Sequence, residues 1–347
     1  MIKIKEFDKS NLFGILKNFP KMWEYASEIG RKFEVDSKYF NGIDKIVISG
    51  MGGSAIGGDI VREYVEAGFS VPVFVHRNYG LPKYVNKNTL LIMISYSGNT
   101  EETLSVYQDA CRMGLKMIGL SSNGKLSEFC GKEKIPFILI PSGYSPRAVL
   151  PYLFLPILII LEKIKIISDQ DKPIKETLNI LKDMSDELSL IDKNKAFDLA
   201  EKCRRSIPII CSSQNFSSLA LRWKTQINEN SKAPAYAQFF PELNHNEIIG
   251  WEGDTIIEKK FEFIFLKTAL EHPRNSLRME ITKDILKQKN IYANEISGRG
   301  DALLPQMVSI IYFGDWVSFY LAILNEVDPT PVKTITFLKN ELGKVPF

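Results

Sequence analysis

The chain has 347 residues, more than one ordinary core supports comfortably, so two domains are expected. Its 45% hydrophobic and 24% charged residues place it in the globular class, and 44 basic against 41 acidic residues leave a net charge of only +3. That balance excludes a general nucleic-acid binder and requires any basic site to be local.

Residues 1–40 carry Leu12, Ile15, Leu16, Phe19 and Trp23 at helical spacing and read as an arm over the first domain. Lys5, Glu6, Asp8 and Lys9 interrupt any apolar stretch after Lys3, so a signal peptide is not expected. Between residues 41 and 167, short apolar runs at 45–49, 71–76, 90–94, 116–122 and 136–140 alternate with helical stretches. Such alternation predicts an α/β fold with a doubly wound parallel sheet, closed by a helix over 147–164. The most lipophilic run, Val149 to Leu161, contains Pro151 and Pro156 and falls short of the about 20 residues that a spanning helix needs. It is read as a buried core helix, and no membrane partner is expected.

The charged segment 168–175 marks a domain boundary. Helices are expected over 174–190 and 195–203. The second domain, 175–347, then repeats the alternation, with strands at 206–211, 261–267 and 291–296 and helices at 216–230, 276–289 and 303–327. Cys111, Cys130, Cys203 and Cys211 lack C-x-x-C spacing, so neither a zinc site nor a disulfide framework is indicated, and a reducing cytoplasm fits best.

Two turns stand out. The strand 90–94 stops abruptly at Ser95-Tyr96-Ser97-Gly98-Asn99-Thr100, and Glu101 and Glu102 open the helix that follows. The strand 45–49 is followed by Gly50-Met51-Gly52-Gly53-Ser54-Ala55-Ile56-Gly57-Gly58, five glycines in nine residues, and then a helix. Free backbone N–H groups and the helix dipole at such turns suit an anion, and two of them can converge at the carboxyl edge of one sheet. Phosphate is the natural occupant. The pattern is neither the dinucleotide fingerprint nor a P-loop.

GMGGSAIGGD and SYSGNTEET resemble the sugar isomerase (SIS) domain. With SGYSPRAVLPYLF, NENSKAPAY and PELNHNE, the chain from about residue 45 onwards resembles the bifunctional phosphoglucose/phosphomannose isomerases. The resemblance implies two SIS-type domains in tandem, forming a cytoplasmic homodimer. It further implies isomerisation of glucose 6-phosphate and mannose 6-phosphate to fructose 6-phosphate through a cis-enediol, without metal or organic cofactor. Gly53, Ser54, Ser95, Ser97 and Thr100 match the family's phosphate ligands, whereas Tyr96 is read as packing or shaping its turn. Positive charge is scarce in these loops, so binding would rest on N–H and O–H donors.

Moving a carbonyl between C1 and C2 requires a base for the carbon-bound proton, a donor for the ring oxygen and positive charge beside the enediolate. Glu229 ends a helix whose inward positions are Leu219, Trp223 and Ile227; it is either a solvated acid or a base facing the loop 230–235. A carboxylate there opposes the helix dipole, which is unfavourable unless the group is used. The resemblance makes it the base that shuttles the proton. Arg147, at the start of a helix, faces the wrong pole for a dipole role, which suggests an anion partner. Similarity to the family assigns it to the enediolate.

His245, in a polar loop, and Lys339, in a solvated C-terminal run, would be unremarkable surface residues on their own. In the resemblance both assist ring opening, His245 from across the dimer interface. Thr330 matches a threonine that leaves room near C1 and C2 for both epimers. Two rivals remain open: an isomerase of one epimer or of an amino sugar phosphate, and a sensing module that keeps the two turns but has lost the chemistry.

Overall fold

The computed structural model describes residues 4–191, 194–252 and 260–345. Helices α1 (Ile4–Phe7), α2 (Leu12–Lys17) and α3 (Phe19–Lys32) open the chain. There follow β1 (Lys45–Ser49), α4 (Gly52–Glu66), β2 (Val73–His76), β3 (Thr89–Ile94), α5 (Glu101–Met113), β4 (Lys116–Ser121), α6 (Gly124–Lys132), β5 (Phe137–Leu139) and α7 (Leu150–Lys163). The five strands are parallel, in the order β2-β1-β3-β4-β5.

Helices α8 (Asp171–Leu188) and α9 (Lys195–Cys203) lead into β6 (Ile207–Ser213), α10 (Ser217–Ser231), β7 (Tyr236–Phe240), α11 (Glu247–Gly250), β8 (Phe261–Lys267), α12 (Pro273–Gln288) and β9 (Asn294–Ser297). Two last helices, α13 (Leu303–Leu324) and α14 (Lys333–Leu342), complete the fold. The second sheet is also parallel, in the order β7-β6-β8-β9. The doubly wound fold expected in each half is thus present twice. In both sheets the winding reverses beside the first strand, between β1 and β3 and between β6 and β8. Loops leaving those strands therefore open into one crevice per sheet.

The apolar runs became strands because they are buried on both faces: every residue of β3 is inaccessible to solvent. One core runs through both halves, joining α3, α7, α8 and α13 to one face of each sheet, with smaller clusters under the opposite faces. α13 is long and apolar enough to cross a bilayer, yet it is almost wholly buried, as expected of a core helix that is apolar all round. The arm touches both halves. Trp23 of α3 packs on Phe154 of α7 and donates its indole N–H to the Ile174 carbonyl, and Phe19 stacks on Tyr312 of α13. The helix expected from residue 147 begins at Leu150, because Pro146–Ala148 forms a separate 3-10 turn that aims Arg147 elsewhere. The strand expected from 291 begins at Asn294.

Candidate active site

The two turns meet where β1 and β3 end. The Ser95 and Thr100 hydroxyls lie 2.8 Å apart, and the Thr100 N–H points at Ser95 Oγ at 3.4 Å. The Asn99 N–H donates to Ser97 Oγ at 3.3 Å, and the Tyr96 N–H donates to Ser54 Oγ at 3.4 Å, joining one turn to the other. Gly98 adopts a φ of +68°, and a Cβ there would lie 1.7 Å from the Asn123 carbonyl oxygen, so no other residue fits the turn. Neither Met51 nor Thr100 caps its helix with a side chain, which leaves the first N–H groups of α4 and α5 available to an anion. Tyr96 shapes its turn: its hydroxyl donates to the Pro141 carbonyl and accepts from the Tyr144 N–H, both at 3.0 Å.

Through Gly53 this cradle abuts the turn that carries Arg147, whose side chain reaches the second half. A Cβ on Gly53 would come within 3.3 Å of Pro146, so the first turn of α4 rests directly on the turn that carries Arg147. Arg147 is buried, and four neighbours fix its guanidinium. Nε donates to Asn230 Oδ1 and Nη1 to Ser145 Oγ, both at 2.6 Å, while Nη2 donates to the carbonyls of Pro329 and Thr330 at 2.7 Å. Burial lowers its basicity and the nearby Glu229 opposes that, but a guanidinium keeps its proton in either case.

Glu229 Oε2 lies 3.5 Å from Arg147 Nη1 and is half-buried at the end of α10. Gly52, Gly53, Arg147 and Glu229 line one cavity of about 360 Å³, which Arg62, Arg77, Gln214 and Thr225 also border. A carboxylate and a cation therefore face a common space beside open helix N-termini, an arrangement suited to moving a proton next to a developing oxyanion.

A bifunctional phosphoglucose/phosphomannose isomerase of Caldicellulosiruptor bescii is 46% identical to this chain, over 96% of it and 99% of the relative. The chain belongs to the bifunctional phosphoglucose/phosphomannose isomerase family. Another member, from Aquifex aeolicus, is 38% identical over 86% of this chain and 90% of its own length. Residues 39–135 match the SIS domain, and residues 192–342 match the bacterial phospho-glucose isomerase C-terminal SIS domain. In structure, a hypothetical protein of Thermus thermophilus superposes with a TM-score of 0.74 at 15% identity, over 96% of this chain and 90% of that one, and shows the shared fold. The resemblance read from the motifs is borne out.

Of the residues singled out in the sequence, Gly53, Arg147 and Glu229 border one cavity, while Ser54, Ser95, Ser97 and Thr100 lie in the two adjoining turns. Thr330 joins them through its carbonyl. His245 and Lys339 are exposed, and among the described residues no hydrogen bond or ion pair ties either to Arg147 or Glu229. Sequence reasoning missed the group that holds Arg147 in place. Asn230 and Lys232 lie inside the NENSKAPAY motif; the Lys232 amine contacts the carbonyls of Glu229 and Pro329, and burial lowers its pKa. Behind them lies a fully buried ion pair. Arg222 Nε and Nη2 bind Asp315 at 3.1 and 2.8 Å, and Nη2 also reaches the Arg147 carbonyl at 2.5 Å. Its signal was available: Asp315 is the single charged residue in the long apolar run of α13.

Proposed function

We propose that this protein interconverts glucose 6-phosphate and mannose 6-phosphate with fructose 6-phosphate, as the names of its relatives suggest. The phosphate sits among the Gly53–Ser54 backbone and the hydroxyls of Ser95, Ser97 and Thr100. With the sugar ring open, Glu229 takes the proton from C2 and the carbonyl electrons move to O1, giving an enediolate beside Arg147. The same carboxyl then returns the proton to C1, the hydroxyl proton on O2 passes to O1, and the carbonyl forms at C2. The two aldoses differ only at C2 and give the same planar intermediate, and one base serves both when rotation about the C2–C3 bond brings the C2 proton of either epimer to the side of Glu229. Thr330, whose carbonyl accepts from Arg147, is assigned the edge of the site that tolerates either epimer.

The observation that carries this reading is the 3.5 Å contact between Glu229 and an Arg147 that four other bonds already hold in place. A sensing module has no need of that pair. Ring opening requires a donor, and His245 and Lys339 are assigned to it with the help of a second copy of the chain. In support, α14 carries Lys339 and buries none of its residues, yet exposes Ile335, Phe337, Leu338 and Leu342. An apolar helix face of that kind is satisfied by a partner, and a homodimer with His245 reaching across is the arrangement assigned. The free Cys111, Cys130, Cys203 and Cys211 fit a reducing cytoplasm.

The deciding experiment mixes the purified protein with each aldose phosphate and follows fructose 6-phosphate. Product from both supports the full reading, product from one alone restricts it to a single epimer, and binding without product favours the sensing module. Sedimentation or light scattering reads the dimer, and a monomer at working concentration would remove His245 from its role.

A further inference from the structure

α4 and α10 each begin where the first strand of a sheet ends, and they lie side by side in opposite directions. At one end, Gly53 at the start of α4 rests on Pro146 and Arg147, which contacts Glu229 and Asn230 at the end of α10. At the other end, Glu63 in the last turn of α4 meets the start of α10. The Ser217 hydroxyl and the Ser218 N–H each donate to Glu63 Oε1 at 2.8 Å, and the Ser218 hydroxyl binds Oε2. Arg62 lies 3.2 Å from the same Oε1. Glu63, Ser217 and Ser218 are all buried. The residue that should cap α10, Phe216, offers no side-chain cap, so the Ser218 N–H finds its acceptor in the first domain instead.

We infer that Glu63 is a positioning residue: its carboxyl fills the anion site at the start of α10 and fixes that helix against the phosphate cradle, and so sets where Glu229 stands. This inference rests on the reading of Glu229 as the base. The second half has the same strand, turn and helix start that take phosphate in the first, and an acid from its neighbour occupies that place. The start of α10 thus has an acceptor from within the chain, while Gln214 and Ser217 border the same cavity as Gly52 and Gly53. The lever is long. Glu229 stands about 18 Å along the helix from Ser217, so a tilt of about 3° at the capped end moves the carboxyl by about 1 Å, enough to cost on the order of a hundredfold in rate. Trp223 ties α10 to α13 within its own half and Arg222 binds both Asp315 and the Arg147 carbonyl, whereas at its two ends α10 meets the first half through Glu63 and through the Arg147 side chain.

The test compares the wild-type protein with Glu63→Ala, with Glu229→Gln in parallel. Glu63→Ala is expected to lower kcat about ten- to a hundredfold while KM changes by less than about twofold, because the cradle is untouched. Added formate, small enough for the vacated site, should restore part of the rate, and chloride at equal ionic strength should not. Amide hydrogen exchange at Ser218 should rise at the same time. A kcat within about twofold of wild type overturns the inference, as does a lost rate that formate leaves unchanged. Should Glu63→Ala not fold, Glu63→Asp withdraws the carboxyl by one methylene and must lower kcat at constant KM; an unaltered kcat there overturns the inference equally. A fully active Glu229→Gln protein would instead refute the base, while exchange at Ser218 still reports whether Glu63 caps α10.

Discussion

The two halves share a sheet order, a reversal point and a helix rising from it, but they treat the start of that helix in opposite ways. In the first half, glycines and hydroxyls leave the N-termini of α4 and α5 uncapped and open. In the second, the turn over Ser212 to Ser218 keeps hydroxyls but no glycine, and Glu63 closes it from inside. On the proposed reading, the same topology serves once as a ligand site and once as a structural joint. What separates the two is whether the anion comes from solution or from the chain.

The largest expected effect breaks the chemistry while leaving both helix starts intact. Glu229→Gln should reduce turnover by about two to four decades with hexose phosphate binding nearly unchanged, measured by steady-state kinetics beside calorimetry; unaltered turnover removes Glu229 from its role. Next, Arg147→Lys should lower kcat/KM by about two to three decades, since an ammonium cannot serve Asn230, two carbonyls and the enediolate together. Retained kcat/KM would count against the enediolate assignment.

The joint itself can be sharpened with pH. Burial outweighs the surrounding donors and pushes the Glu63 carboxyl up to about 7, so the folded state holds this proton more tightly than the unfolded one. The stabilisation is complete below the ordinary carboxylate range and is lost as pH rises through about 7. Relative to Glu63→Gln, the wild-type protein should lose up to about 3 kcal/mol of unfolding free energy between pH 4.5 and 7.5, read by urea denaturation. A constant difference between the two proteins would show that Glu63 does not titrate there.

The smallest effects compare like with like at the two strand ends. Ser95→Ala removes a cradle hydroxyl and should raise KM about tenfold with little change in kcat, whereas Ser213→Ala removes a buried hydroxyl that has no partner among the described residues and should alter stability by less than about 1 kcal/mol. Equal kinetic effects would mean that the second crevice also meets substrate.

Much of this was legible in the sequence, for physical reasons that differ by residue. Runs such as Thr89–Ile94 announce themselves because both faces are buried. Tyr236–Phe240 does not, because it is an edge strand with one buried residue out of five, and a half-exposed strand leaves no apolar run to see. Likewise α14 buries nothing in the protomer, so its residues read as a solvated segment. The two turns proposed to hold phosphate were visible through glycines and hydroxyls, residue types that such backbone geometry demands. The partners of Arg147 were not. Two of them are main-chain carbonyls, which every residue possesses, and they lie 182 and 183 residues away. Glu63 gave no signal at all, as it is one acid among several on α4 and its role depends on which helix lies beside it.

That same long-range clamp on Arg147 has a consequence for how the protein comes into being. A ribosome that has made every strand of both sheets has still not delivered Pro329 and Thr330, so the guanidinium waits without these two acceptors until α13 has been made as well. A chain stopped after Asn325 would keep both sheets and α13, yet should be catalytically silent, and adding a synthetic peptide that spans the missing segment should restore turnover if the clamp is what was lacking. Premature release would then yield an inert product rather than a half-competent one.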